Sequence, residues 1–291
     1  MELDTIVCGD CLDVMRDMPN ECVDLIVTSP HYNCRKDYGT INDEMPWNEW
    51  YQHIHNVLIS CYRILREGGI LAVILPGVIR WQPEHAYQDT WQDFDSDYEF
   101  RRNGKQLKGR GRIETIGFWA FQEMSQVGYK IREPVIWVKG SEGNAICSGY
   151  AMGCDSDPRM RPVHEFILLA SKGRWYHDGG TGRRGEAYVA EMDDTKDVWF
   201  ISPTNSRTHP APFPEEIPDR LIRLFVHRVN TQPLPEPIIF DPYMGSGTTA
   251  VAAFKLGRHF YGCDINPEYV KLANERIEKA RLETSQMELD L

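Results

Sequence analysis

Short apolar runs alternating with amphipathic stretches predict an α/β fold, a mostly parallel sheet covered on both faces by helices. Three observations carry this. Runs at residues 5–7, 23–27, 70–75, 134–139, 166–170, 238–240 and 259–263 have strand length and near-continuous apolar character. The longer segments between several of them repeat apolar residues at helical spacing. Two of the runs end in turn sequences, Thr28-Ser29-Pro30-His31-Tyr32 and Asp241-Pro242-Tyr243-Met244-Gly245-Ser246-Gly247.

Taken in order, the run at 5–7 leads into Cys8-Gly9-Asp10-Cys11, whose Gly-Asp pair reads as a turn. No second CxxC or His pair stands at zinc spacing, so no metal is expected there, nor at the looser set Cys147, Cys154 and His164. After the run at 23–27, residues 50–66 place Tyr51, Ile54, Leu58, Tyr62 and Leu65 at helical spacing and close on Gly68-Gly69, a helix-stop signal. A helix at 113–127 ends at Gly128. Another at 218–229 carries Leu221, Leu224, Phe225 and Val226 and stops before a Pro-rich stretch, and a short helix at 250–256 follows the glycine turn. Two stretches break the rhythm. Residues 80–112 are charged and poorly periodic, and 140–199 are rich in Gly and polar groups. They divide the chain into a first half at 1–139 with 80–112 as a charged loop insertion, an inserted module at 140–199, and a second half at 200–291.

A length of 291 residues with 42% hydrophobic content suits one large core or a core with a small module. The acidic start, and the lack of any apolar run near the ~18–20 residues of a membrane span, predict a cytoplasmic protein with no membrane partner. Eight scattered cysteines fit a reducing compartment. A net charge of −11 argues against coating nucleic acid with the whole surface. Local binding is another matter. Arg101, Arg102, Lys105, Lys108, Arg110 and Arg112 form a run with no anion, and Lys172, Arg174, Arg183 and Arg184 are mixed with Trp175, Tyr176 and glycines. Such segments suit a clamp on a phosphate backbone, with a solvated loop as the other reading.

The second turn follows a buried-strand pattern and opens a helix. Its glycines permit close backbone approach and its free N–H groups favour polar or anionic ligands, although a GxG also marks an ordinary turn. No lysine stands in it, which disfavours a nucleoside triphosphate. The next strand delivers Asp264, about 20 residues on, where an acid binds a ribose diol. Asp241, at the tip of its strand, is placed to balance a cationic ligand.

Together the two turns resemble the amino-group DNA methyltransferases that use S-adenosyl-L-methionine. That family carries an (Asp/Asn/Ser)-Pro-Pro-(Tyr/Phe) strand end and an Asp-Pro-Phe-x-Gly-Ser-Gly-Thr-like turn, matched here by Ser29-Pro30-His31-Tyr32 and by Asp241 through Thr248. Further matches are Gly9-Asp10, Val23-Asp24-Leu25-Ile26, Arg66-Glu67-Gly68-Gly69, Ile136-Trp137-Val138-Lys139 and His209-Pro210-Ala211-Pro212-Phe213-Pro214. The catalytic motif precedes the cofactor motif, which looks like the permuted beta group.

The resemblance implies a Rossmann-like class I methyltransferase fold, circularly permuted, with a seven-stranded sheet and a target-recognition region at 140–199. It implies catalysis by Ser29, Pro30, His31 and Tyr32. Cofactor contacts are implied for Asp10, at the adenine edge, and for Thr28, His209, Pro210, Phe213, Asp241, Tyr243, Gly245, Ser246, Gly247, Thr248 and Asp264. The substrate would be a base flipped out of double-stranded DNA. Ser29 in the first motif position is similar to enzymes acting on N4 of cytosine, with N6 of adenine as runner-up. His31 departs from the usual second proline, which loosens the backbone there and keeps a non-catalytic DNA-binding protein in view. RNA or a protein glutamine is a further alternative acceptor. A cognate restriction endonuclease is a candidate partner, and the sequence leaves the oligomeric state unknown.

Overall fold

The computed structural model describes residues 1–34, 36–39, 43–80, 98–102, 105–109, 113–141, 144–145, 162–174, 192–204, 210–226 and 236–289. Strand β1 (Thr5–Cys8) leads into helix α1 (Cys11–Asp17), where the sequence predicts only a turn; the Asp10 carboxylate caps it by accepting from Leu12 N at 2.8 Å. Strand β2 (Val23–Thr28), helix α2 (Trp47–Ile64) and strand β3 (Leu65–Leu75) follow. Strand β4 (Ile79–Arg80), a hairpin of β5 (Tyr98–Arg102) and β6 (Lys105–Gly109), and strand β7 (Ile113–Glu114) precede helix α3 (Ile116–Val127). Next come β8 (Lys130–Ile131), β9 (Val135–Ser141), β10 (Asn144–Ala145), β11 (His164–Ser171) and β12 (Val198–Ile201). The chain closes with helix α4 (Glu216–Phe225), β13 (Ile238–Asp241), helix α5 (Thr248–Lys255), β14 (His259–Asp264) and helix α6 (Pro267–Leu289).

One large sheet runs in the order β1-β14-β13-β2-β3-β11-β9, with β12 and β10 on β9 and β8 on β11. Pairings from β1 through β3 are parallel, β11 is antiparallel to both its long neighbours, and β12 is parallel to β9. The first and last strands, β1 and β14, are therefore neighbours. Alternation places Ile70, Ala72 and Ile74 in a core under α4, α5 and α6, and Leu71, Val73 and Leu75 in a core under α1, α2 and α3. Burying one such side chain is worth roughly 1.5–3 kcal/mol. The exposed pair Arg16–Asp13 adds about 0–1 kcal/mol, so the two apolar faces fix the sheet.

Several boundaries differ from expectation. Helix α2 stops at Ile64, not at Gly68-Gly69; the glycines lie in a bulge of β3, where Val23 pairs with Leu65 but Leu25 with Ile70. Gly68 has φ +79°, and a Cβ on Gly69 would stand 3.0 Å from the Asp24 carbonyl. Helix α3 starts at Ile116 because Ile113 and Glu114 pair with β4. That pair closes the base of the 80–112 insertion, which includes a regular hairpin with Arg102 opposite Lys105. The expected module at 140–199 begins inside β9 and ends inside β12, and its described parts include β11 and part of β12, both strands of the main sheet.

Candidate active site

Because β1, β14, β13, β2, β3 and β9 run one way and β11 the other, one edge of the sheet collects the ends of the first six and the start of the last. Strand β2 stops beyond Thr28, since Pro30 has no N–H to continue the ladder. Ser29 is half-buried there. Its Oγ lies 3.0 Å from Tyr32 Oη and 3.4 Å from the Ile74 carbonyl of β3. Tyr32 Oη donates to Glu165 Oε2, on β11, at 3.1 Å, and Glu165 Oε1 in turn accepts from Lys139 Nζ, on β9. Burial, and then the Glu165 charge, push the Tyr32 phenol well above its usual range, so it keeps its proton.

His31 is 7% exposed and does not face out beside Ser29. Its Nδ1 lies 3.0 Å from Asp43 Oδ1, and its carbonyl accepts from Trp50 Nε1 at 3.0 Å. Asp43 Oδ2 also accepts from the Cys34 and Lys36 N–H groups. Burial alone would raise the Asp43 carboxyl, but the His31 bond and these N–H donors hold it below the usual range. Hydrogen bonds thus do the stiffening that a second proline ring supplies. The geometry sets the His31 ring against Asp43 and its carbonyl against Trp50. Beyond it, Asn266 Nδ2 donates to the Tyr38 carbonyl at 2.7 Å, so this loop reaches from the end of β2 to the end of β14.

Asp241 ties the two motifs together. Thr28 Oγ1 donates to its Oδ1 at 2.8 Å, Tyr243 N to the same oxygen at 3.0 Å, and Thr249 Oγ1 to Oδ2 at 2.7 Å. The residue is fully buried, and burial pushes its carboxyl up to about 6 despite the three donors. With no accessible surface it makes no direct contact outward, and its three bonds strap β2 to the turn. Gly247 also serves packing: at φ +82°, a Cβ would come within 2.7 Å of the Ala273 Cβ on α6. Arg276 of α6 binds the Ser246 carbonyl, Ser246 Oγ and Thr248 Oγ1, so those two side chains are engaged from behind.

What the turn offers a ligand is Asp264. Its two oxygens are held by Gly245 N and Asn266 N, each at 2.8 Å, and the residue is 9% exposed, its carboxyl raised by burial. A carboxylate fixed in this way at a strand end has lone pairs left for a ribose diol. Asp10 lies one strand over, where Gly9 N donates to the Asp264 carbonyl at 3.0 Å. Tyr243 Oη is 2.7 Å from His53 Nε2, while Phe213 packs on the core beneath α4 and Pro210 is exposed.

Of the basic residues, Arg101, Arg102, Lys105 and Lys108 lie along the hairpin, whose base at β4 and β7 follows the site end of β3. His209, Arg110, Arg112, Arg183, Arg184, Cys147 and Cys154 lie outside the described residues. Lys172 lies apart from them. Its backbone pairs with Gly68 and Gly69 at the opposite end of β3, and its Nζ donates to the Leu65 carbonyl at 2.9 Å beside Glu21. Arg174 is exposed two residues on. Glu165, Lys139, Asp43 and Arg276 escaped the sequence reading. The first two carried a signal, an acid and a base at the ends of apolar strands.

A mostly parallel sheet with a glycine turn, an acid on the next strand and a Ser-Pro-x-aromatic strand end beside them defines a methyltransferase of the Rossmann-like class. Residues 23–275 match the profile of the N6/N4 DNA methylases, and the chain belongs to this DNA methylase family. The type II methyltransferase M.SmaI of Serratia marcescens is 28% identical over 95% of this chain and 91% of its own. In fold, the chain is similar to TTHA0409 of Thermus thermophilus, described as a putative DNA modification methylase and solved with S-adenosyl-L-methionine. The TM-score is 0.63, at 24% identity over 95% of this chain and 93% of that one. It is also similar to the PvuII DNA methyltransferase, named as cytosine-N4-specific, with a TM-score of 0.61 at 18% identity over 95% and 89% of the two chains.

Proposed function

We propose that this chain transfers the methyl group of S-adenosyl-L-methionine to N4 of a cytosine flipped out of double-stranded DNA. The observation that carries the reading is the direct bond between the two motifs, Thr28 Oγ1 to Asp241 Oδ1 at 2.8 Å, which sets Ser29 and Pro30 beside the nucleoside end of the sheet. Asp264 and the turn at Gly245 would hold the cofactor, with Asp10 at its adenine edge. When bound, it supplies a methyl group activated by a cationic sulfur.

An exocyclic amine is a poor nucleophile, because its lone pair is delocalised into the ring. Ser29 Oγ and the Pro30 carbonyl, as acceptors in the base plane, bind its N–H bonds and localise that lone pair. Tyr32 offers a ring face to the base. Ser29 is too weak a base near neutral pH to take the proton, which leaves to solvent after transfer, so positioning carries the chemistry. The hairpin at β5 and β6 would track the phosphate backbone. The likeness to type II methyltransferases such as M.SmaI supports a modification role beside a cognate endonuclease.

The test uses tritiated cofactor and mixed-sequence DNA, followed by nucleoside chromatography. Label in N4-methylcytosine is expected. Label in N6-methyladenine overturns the choice of base, and none in DNA overturns the enzyme. Ser29→Ala should bind cofactor normally while losing about 100-fold or more in kcat.

A further inference from the structure

We infer that Glu165 sets the direction of the hydrogen-bond chain behind Ser29, so that Ser29 presents only lone pairs to the acceptor amine. The inference rests on the function proposed above and concerns how its key hydroxyl is oriented. A serine hydroxyl is both donor and acceptor, and a rotor that points its hydrogen at the substrate repels an incoming N–H. Something must commit that hydrogen elsewhere.

Counting protons along the chain shows what does. The Glu165 carboxylate, held on Oε1 by the Lys139 ammonium, can only accept. Tyr32 has one phenolic hydrogen and three acceptors in reach, Ser29 Oγ at 3.0 Å, Glu165 Oε2 at 3.1 Å and the Ile74 carbonyl at 3.4 Å. The charge-assisted bond to the carboxylate wins over the two neutral acceptors. With its hydrogen committed, Tyr32 Oη can only accept in its 3.0 Å contact with Ser29. The Ser29 hydrogen therefore goes to Tyr32 or, at 3.4 Å, to the Ile74 carbonyl. Either way it points into the protein. Lys139 is in turn placed by the Trp137 ring, 5.2 Å from its ammonium, so the chain is anchored at its far end.

Glu165 touches neither substrate nor cofactor in this scheme; it is a positioning residue acting through Tyr32. Glu165→Gln inverts the chain, because Lys139 retains the amide carbonyl oxygen and the NH2 group faces Tyr32. Tyr32 then accepts, and its hydrogen is free to occupy Ser29 Oγ. The experiment is a double-mutant cycle on kcat with Tyr32→Phe, with KM for the cofactor read in parallel. Glu165→Gln alone should lower kcat by about 10- to 100-fold, with KM unchanged. In the Tyr32→Phe background the same change should alter kcat by less than about twofold. An equal loss in both backgrounds overturns the inference, as does an unchanged kcat for Glu165→Gln while Ser29→Ala is inactive. If Glu165→Gln does not fold, Glu165→Leu with Lys139→Met removes both charges together and takes its place in the cycle. Failure of the wild-type chain to label DNA would instead refute the proposed function.

Discussion

Replacing Asp241 by Asn should make the protein more stable at neutral pH and change how its stability depends on pH. The carboxyl sits between Thr28, Tyr243 and Thr249 with no exposed surface, and burial moves it from 3.8 to about 6. Between those values the folded chain holds a proton that the unfolded chain has released, so wild-type stability falls as pH rises from about 4 to about 6 and is level above. At about 1.4 kcal/mol per pH unit, the two-unit window amounts to roughly 3 kcal/mol. The amide suits the site. Its oxygen can accept from Thr28 Oγ1 and Tyr243 N, while its NH2 can donate to Thr249 Oγ1, a hydroxyl that turns round to accept. Urea unfolding of both proteins at about pH 4.5, 5.5 and 7 measures the effect, with the slope m as a control on two-state behaviour. The stability of Asp241→Asn relative to wild type should rise by about 2–3 kcal/mol across the series. A difference that does not change with pH would refute the reasoning and show that the three donors offset burial completely.

Gly247→Ala meets both a left-handed backbone and the Ala273 side chain at 2.7 Å; about 2–4 kcal/mol should be lost in urea unfolding, and an unchanged midpoint would remove the packing account of this glycine. Lys172→Gln should lower stability by about 1–2 kcal/mol, through the Leu65 carbonyl it leaves without a charged donor. The same variant should leave DNA affinity within about twofold at fixed salt; a clear loss of affinity would return Lys172 to the DNA-binding surface.

The strands were legible because both faces of β2 and β3 are buried, and burial on both faces writes itself as an unbroken apolar run. The two motifs were legible for a related reason: a strand end that must turn sharply carries Pro or Gly. Side-chain partnerships were not. Glu165 meets Tyr32 across 133 residues, and only the antiparallel insertion of β11 beside β3 brings its first residues to that edge. Local periodicity holds no record of strand order. Gly68-Gly69 misled for the opposite reason, since a helix end and a strand bulge call for the same residue. Asp241 likewise reads as a ligand contact in a motif, and its bonds to Thr28, Tyr243 and Thr249 are visible only in the fold.

The meeting of β1 and β14 also sets a schedule for synthesis. Among the described residues, β1 pairs with β14 alone, joining Thr5–Cys8 to a strand that ends at Asp264. At roughly 5–20 residues per second, a ribosome needs on the order of 10–50 s between the two. During that interval β1 waits without its sheet neighbour, and the edge of β2 that later receives β13 stays open. Closure of this half of the sheet is necessarily late, a slow, non-local step of the kind that exposes nascent chains to chaperones and to mispairing.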